Sequence, residues 1–364
     1  HALEERNEAA RPLLRVMGRW SMKLSKWDDY LIHQVVRPMD TLGTDDPNFM
    51  DRIWFMAYTA DGAVQMMAGL GTHPNKKIMD GFLLIRSGDT QCNLRASRHV
   101  SDDKDVPAIG PLRFEIVEPQ QHWRIHLAPN DQGLECQLDF HARMEPYLFP
   151  PLGFSDQGQL HYKQPGHCTG TLAMNGTTYD LRAVPAVRDR SWGIRKPGIV
   201  SGLGVLVVIE AHFPSGAASL IYLDTLHDSF EMRQGGLLGD DGKVTEVLQM
   251  RQAVTFDASN GLFDTVTLEI DAEDGSTRTM TATAISAPCY FTGGGYDGRH
   301  GLDCGPLHVE GECWDLANSE GLGGVFPYYS RICEFEMDGE KGIGHVEAYF
   351  SQEADWSYQP TLKR

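Results

Sequence analysis

The sequence lacks the short motifs of the common cofactor-dependent and hydrolytic enzymes. No G-x-x-x-x-G-K-[ST] phosphate loop occurs, and the glycine runs "GLGT" and "GGGYDG" do not stand between a strand and a helix, as a dinucleotide site requires. There is no G-x-S-x-G elbow of an α/β-hydrolase and no H-E-x-x-H zinc motif. These absences predict a protein that uses neither a nucleotide nor a metal, so we expect no cofactor.

Positive charge is also scarce: 32 lysines and arginines stand against 50 aspartates and glutamates, which gives a net charge of −18. Nucleic acids and anionic membranes bind to basic faces, so this balance argues against both as partners. No apolar run approaches the roughly 20 residues of a membrane span, and the longest, residues 202–209, has the length of a strand. We expect no stable membrane insertion, and a neutral or apolar small molecule as ligand.

Cysteine occurs in an odd number and without metal-binding spacing. The seven cysteines form no C-x-x-C. This pattern predicts neither a disulfide framework nor a structural zinc, and it favours a cytoplasmic location, where thiols stay reduced. The chain begins with His1 rather than methionine, so removal of a targeting segment stays open.

Helical periodicity is confined to the beginning of the chain. Apolar residues recur at three- and four-residue spacings between residues 3 and 35, with charged residues on the opposite face. This pattern predicts an amphipathic helix that packs on the protein body, and we assign residues 1–40 to the helical segment. The stretch "FTGGGYDGRHG", residues 291–301, predicts a flexible loop or lid rather than a phosphate site.

From residue 51 onward the pattern is that of antiparallel strands joined by tight turns. β-rich runs flank turn signals such as Asn175-Gly176 and Asp338-Gly339, and the pattern restarts after residue 198. Two strand-rich blocks of domain size predict an all-β fold of two antiparallel barrels, over residues 41–190 and 191–364. Small barrels of this kind commonly enclose a cavity for one apolar ligand.

The octapeptide "RDRSWGIR", residues 188–195, places charge and an aromatic ring where the two blocks meet. Asp189 is flanked by Arg188 and Arg190, and a carboxylate beside arginines is held as the anion. The stretch can serve as the polar floor of an acid–base site. It can equally be a charged turn in which Arg188 pairs with Asp189 and Trp192 packs. Composition leaves both interpretations open.

A longer stretch, "HYKQPGHCTGTLAMNGTTYDLRAVPAVRDRSWGIR" at residues 161–195, resembles the joint between the halves of the AttH-like, tandem lipocalin-like proteins. That superfamily is related to carotenoid 1,2-hydratases (hydroxyneurosporene synthases). The shared pattern is Tyr-x-Gln-x-Gly, two strands, then Arg-Asp-His-Ser-Trp-Gly, with Arg190 here in place of the histidine. The closing "GIGHVEAYF", residues 342–350, resembles the family's terminal strand and places Glu347.

The resemblance implies two lipocalin-like barrels and a lyase or isomerase of the hydratase or cyclase type, acting on a hydrophobic isoprenoid or polycyclic molecule in a barrel cavity. Because arginine stays charged, Arg190 would bind an anion or hold Asp189 ionised instead of moving protons. The predicted catalytic groups are Asp189, Arg188, Arg190 and Glu347; the predicted substrate-binding residues are Trp192, Tyr162, Gln164, His345, Trp54 and Tyr349. The alternatives are a non-catalytic carrier of a hydrophobic ligand, or an octapeptide that only locks the barrels together. A homodimer stays open.

Overall fold

The computed structural model describes residues 24–31, 44–100, 103, 106–151, 159–195, 202–226, 231–318 and 327–363. The first part of the chain forms β1 (Phe49–Tyr58), β2 (Val64–His73), β3 (Ile78–Ser87), β4 (Thr90–His99), β5 (Ala108–Ile109), β6 (Leu112–Glu118), β7 (His122–Leu127), β8 (Leu134–Ala142), β9 (Tyr147–Leu148), β10 (Gln159–Met174) and β11 (Thr177–Ile194). The second part forms β12 (Leu203–Phe213), β13 (Gly216–Thr225), β14 (Glu231–Gly239), β15 (Val244–Phe256), β16 (Phe263–Ala272), β17 (Thr277–Ala284), β18 (Cys289–Tyr290), β19 (Leu307–Asp315), β20 (Tyr328–Met337) and β21 (Glu340–Phe350). Short 3-10 helices span Lys26–Asp29, Pro74–Lys76 and Phe291–Gly294.

These strands form two barrels. The first sheet has the order β19-β4-β3-β2-β1-β11-β10-β8-β7-β6-β5, with β9 paired to β10. The sheet is nearly closed: β5 at one end lies next to β4, the strand beside the other end, and Arg98 of β4 donates from Nε to the carbonyl of Ala108 in β5 at 2.7 Å. The second sheet closes fully, since β17 pairs with β20 and completes the ring. The predicted all-β fold of two antiparallel barrels is confirmed.

The turn signals of the sequence coincide with hairpins of the structure. Asn175-Gly176 joins β10 to β11, and Asp338-Gly339 joins β20 to β21. Both residues of each pair have positive φ, between 51° and 80°. This geometry matches the twist of the strands, and asparagine, aspartate and glycine tolerate it best. The two longest strands, β10 and β11, are therefore paired directly through a tight turn.

The amphipathic helix predicted for residues 3–35 lies mostly outside the described residues. Within residues 24–31 the chain forms one 3-10 turn, Lys26–Asp29, which is capped by the side chain of Ser25. The turn carries Asp29 to a fully buried position at the first barrel. In the ranges that the structure describes, no helix is long and apolar enough to cross a membrane.

One strand from the second half of the chain belongs to the first sheet. β19 pairs with β4, and Cys313 stands directly opposite Cys92 in a disulfide. The expectation that the cysteines form no disulfide is wrong for this pair, because the fold brings residues 221 positions apart onto neighbouring strands. Disulfides are rare in a reducing cytosol, so the cysteines do not support the cytoplasmic location.

The barrels fill their interiors with apolar side chains and pack against each other through their outer faces. Phe55 and Trp123 belong to the buried cluster of the first barrel, and Ile209 and Phe335 to that of the second. A third buried cluster, which includes Trp54, joins the outer faces. The pocket described next lies between the barrels. The expectation of a ligand cavity inside one barrel stays a prediction.

Candidate functional site

The floor of the pocket is a patch of the first sheet where β1, β11 and β10 lie side by side. Alternate residues of a strand point to the same face, and the strand register aligns them in rows. The rows are Trp54–Asp189–Lys163, Arg52–Ser191–His161 and Gly193–Gln159. The side chains of these rows line the pocket, so the sheet collects both signs of charge and an imidazole on one small surface.

The opposite wall comes from the outer face of the second barrel and is apolar. It is formed by β12, β13 and β14 through Leu206, Val208, Ile221, Leu223 and Met232. Phe291 and Tyr296, from the glycine-rich loop 291–301, close one side, and Tyr328 and Glu347 enter from β20 and β21. The 3-10 helix of this loop, Phe291–Gly294, packs on β3, β4 and β20. One polar and one apolar wall suit an amphipathic small molecule.

A buried lysine connects the two barrels at this pocket. Nζ of Lys163 lies 3.3 Å from Oε1 of Glu347 and 3.8 Å from Oε1 of Glu210, both on the second barrel. The phenol of Tyr328 donates to Oε2 of Glu347, and Nε2 of His345 lies 3.4 Å from Oε1 of the same carboxylate. Glu347 is therefore held by three groups while it lines the pocket.

Burial and charge drive the pKa values of the two glutamates apart. Burial raises the pKa of Glu210 to about 8 against the opposing effect of Lys163, so this carboxyl is largely protonated at neutral pH. Burial also opposes ionisation of Glu347, but Lys163 and two hydrogen bonds outweigh it and lower the pKa to about 2. The two glutamates raise the pKa of Lys163 in spite of burial. Carboxyls with divergent pKa values are typical of sites that move protons.

Asp189 pairs with a histidine and not with its arginine neighbours. Oδ2 of Asp189 lies 3.4 Å from Nε2 of His161, and the two side chains are 17% and 12% exposed. The imidazole of His161 stacks on Phe149, with the ring centres 5.3 Å apart. An imidazole beside a carboxylate can take up a proton and return it, so this pair can serve as a proton-transfer group of the pocket.

Side chains alternate between the two faces of β11, so Arg188 and Arg190 of the octapeptide point into the first barrel. Nη1 of Arg188 lies 2.7 Å from Oδ1 of Asp29, and Nη2 of Arg190 lies 2.7 Å from Oδ1 of Asp51. The expected pairing of Asp189 with these arginines is wrong, because neighbouring residues of a strand point to opposite faces. In the structure the guanidinium of Arg188 anchors the N-terminal turn through a buried ion pair.

The structure therefore divides the ten predicted site residues into three groups. Those that line the pocket are Asp189, Glu347 and Trp54. Those that face the interior of the first barrel are Arg188, Arg190, Trp192, Tyr162 and Gln164, joined to one another by contacts such as the 2.6 Å hydrogen bond from Arg188 Nε to Gln164. His345 and Tyr349 are buried on the face of β21 that carries Glu347, but they do not line the pocket.

Sequence reasoning missed two central polar residues of the pocket, His161 and Lys163. Both stand in the stretch 161–195 and alternate with Tyr162 and Gln164, which belong to the shared pattern. Strand periodicity therefore places His161 and Lys163 on the opposite face of β10 from Tyr162 and Gln164. Glu210 had a signal of its own, since it is the one charged residue in the apolar run "GVLVVIEAHF". An ionisable group in such a run is buried on folding, and here it lies 3.8 Å from Lys163.

Comparison with solved structures places this architecture in a known class. The chain is similar to an AttH-like protein from Nitrosomonas europaea, with a TM-score of 0.57 and 11% identity over 82% of this chain and 92% of that one. It is also similar to kievitone hydratase from Nectria haematococca, with a TM-score of 0.50 and 11% identity over 82% of this chain and 89% of that one. At these identities the likeness shows the fold alone, which is the AttH-like pair of lipocalin-like barrels.

Within that fold, the sequence itself defines a narrower group. The chain belongs to the Family of unknown function (DUF8625), which it matches over residues 24–352. No curated protein matches the sequence.

Proposed function

We propose that the protein is a cofactor-independent acid–base enzyme of the hydratase, cyclase or isomerase type, and that the pocket between the barrels is its active site. The observation that carries the proposal is the juxtaposition of Lys163 and ionised Glu347 with the His161–Asp189 pair, opposite an apolar wall. Burying charges is costly for folding, and carboxyls with strongly shifted pKa values in a cleft are typical of functional sites.

In this proposal the His161–Asp189 pair moves the proton. The imidazole takes a proton from a substrate carbon or from water, and Asp189 stabilises the imidazolium that forms. Lys163, which Glu347 holds in place, donates a hydrogen bond to a substrate oxygen on which negative charge develops. The glutamates raise the pKa of Lys163, so it stays charged as the donor at neutral pH. Burial raises the pKa of Tyr328, which keeps the proton that it donates to Glu347.

The substrate in this proposal is a largely apolar molecule of the isoprenoid or polycyclic class with at least one oxygen atom. The wall on the second barrel offers only aliphatic side chains and a thioether, which contribute by removal of apolar surface from water. The rings of Trp54 and Phe291 line the same pocket and can face a cationic carbon with their negative faces. The shared fold with a kievitone hydratase supports water addition as one reaction of this class.

The proposal is tested by solvent deuterium incorporation, which can be measured before the substrate is identified. The purified protein is incubated in D2O with an apolar extract of its source cells, and mass spectrometry detects compounds that keep deuterium on carbon after return to H2O. We expect one compound class to gain deuterium with the wild type. Asp189→Asn and His161→Gln should lower this rate by about a hundredfold or more, because each removes the proton-transfer pair.

The matched control is Asp180→Asn, which removes an exposed aspartate of the same strand that pairs with Arg182. It should exchange at the wild-type rate, and the melting temperature of each variant shows that it is folded. A compound that the wild type binds without any exchange would instead support the alternative function of a carrier. Exchange that survives in both Asp189→Asn and His161→Gln would exclude the proposed roles of this pair.

A further inference from the structure

Arg195 continues the pocket-facing series of β11 by one step beyond Gly193. Its backbone N–H still donates to the carbonyl of Asn48 at 3.1 Å, and its half-buried side chain lines the pocket. Within the described ranges, every other arginine that is not exposed donates to a carboxylate or to a backbone carbonyl. The guanidinium of Arg195 has no such partner among the described residues.

A partly buried guanidinium without a partner indicates that a ligand supplies the counter-charge. Arginine does not lose its proton in proteins, so Arg195 cannot reduce the cost of burial by becoming neutral. Burial raises the pKa values of the Tyr296 and Tyr328 phenols, and the nearby positive charge of Arg195 opposes both shifts. The guanidinium therefore lies close to the two rings that enclose the pocket.

Two other buried polar atoms of the pocket have no hydrogen-bond partner among the residues that the structure describes. They are the indole Nε1 of Trp54, a donor, and the amide Oε1 of Gln159, an acceptor, and both residues are only 4% exposed. Unsatisfied buried polar atoms are rare in folded proteins, and at a pocket they point to groups that a ligand completes. Arg195, Trp54 and Gln159 together indicate a ligand that carries polar groups at defined positions along an otherwise apolar body.

We infer that the substrate is an amphipathic organic acid whose carboxylate binds to Arg195. The guanidinium offers two parallel N–H donors that match a carboxylate, and the apolar body then lies on the wall of the second barrel. Six residues of extended strand, about 20 Å, separate the backbones of Arg195 and Asp189. The carboxylate therefore binds at a different position along β11 from the one that carries Asp189. This inference rests on the proposed function. It adds a negative charge to the substrate, which the composition of the chain does not predict.

The test compares the binding of two probes of the same shape, 2-naphthylacetic acid and 2-naphthylacetamide, by titration calorimetry at low salt. Wild-type protein should bind the acid about tenfold more tightly than the amide, because only the acid forms a charge-assisted bidentate contact. Arg195→Gln should bring the two affinities to within about twofold, and Arg195→Lys should keep part of the preference. Arg113→Gln removes an exposed arginine of β6 and should retain the full preference.

A preference for the acid that survives Arg195→Gln would overturn the inference, and so would equal affinities in the wild type or binding of neither probe. A melting curve of each variant confirms that it is folded. Because the readout is binding, it is independent of the deuterium experiment. The acid preference can hold in a protein that exchanges no deuterium, and exchange can occur in a protein that shows no preference for the acid.

Discussion

Several buried polar groups of the first barrel contact the carboxylate of Asp29, and replacing Asp29 by asparagine removes its negative charge. The carboxylate is fully buried, and its Oδ1 lies 2.7 Å from Arg188 Nη1 and 2.7 Å from the Tyr162 hydroxyl. Its Oδ2 accepts from Trp123 Nε1 at 3.1 Å. Removal of one partner of a buried ion pair costs about 3–5 kcal/mol, because the other charge stays buried without compensation. The amide oxygen keeps some of the hydrogen bonds, so we expect a loss of about 3 kcal/mol, the lower end of that range.

For a domain of this size a loss of about 3 kcal/mol corresponds to a fall of about 6–12 °C in melting temperature, which scanning calorimetry measures directly. The control Asp180→Asn breaks an exposed pair and should shift the melting temperature by no more than about 1 °C. The double variant Asp29→Asn, Arg188→Met should be less destabilised than the sum of its single variants, since it leaves no unpaired charge. Equal melting temperatures for Asp29→Asn and Asp180→Asn would refute the conclusion that Arg188 anchors the N-terminal turn.

Three further outcomes follow from the buried ionisable groups and the disulfide. The folded pKa of Glu210, about 8, lies above its ordinary value of 4.5, so its contribution to stability is lost as the pH rises. Between pH 7 and 8 the free energy of unfolding, measured by urea denaturation, should fall by about 1 kcal/mol in the wild type, and Glu210→Gln should remove this fall. The same pH dependence in the variant contradicts the assignment. The folded pKa of His212, about 3, lies below its ordinary value of 6.5, so its contribution to stability is lost as the pH falls. The free energy of unfolding should decline between pH 6 and 4, and His212→Gln should reduce this decline by up to about 1.4 kcal/mol per pH unit. An equally steep decline in the variant would count against this assignment. Alkylation of unfolded protein without reductant should modify five of the seven cysteines, whereas modification of all seven excludes the Cys92–Cys313 bond.

Much of the fold could be predicted because its determinants are local. Two-residue turns such as Asn175-Gly176 require positive φ, and alternation of apolar and polar residues marks half-buried strands, so each hairpin has its own signal. The place of β19 could not be predicted, since nothing in residues 307–315 specifies an edge strand far away in the sequence. The same holds for the Cys92–Cys313 disulfide, which depends entirely on that pairing.

The site could be predicted only in part, because a β-bulge between β10 and β11 changes which residues lie beside Asp189. If the pairing of β10 with β11 continued from the Asn175-Gly176 turn without a shift, Asp189 would stand opposite Tyr162. In the structure Asp189 stands opposite Lys163. The one-residue shift occurs between Cys168 and Gly170, near Ala183, whose φ of 53° is unusual for a residue with a Cβ. Such a shift exchanges the two faces of a strand pair. Sequence periodicity alone therefore links Asp189 to the wrong neighbours.

The central claim is that the substrate binds and reacts between the barrels and not inside one of them. A crystal structure of the protein with the compound identified by deuterium incorporation tests this claim most directly. We expect the reacting carbon within hydrogen-bonding reach of His161 and a substrate oxygen near Lys163 and Tyr328, with the apolar body on Leu206 and its neighbours. A ligand found inside either barrel, with the contact between Lys163 and Glu347 facing an empty pocket, would contradict the account.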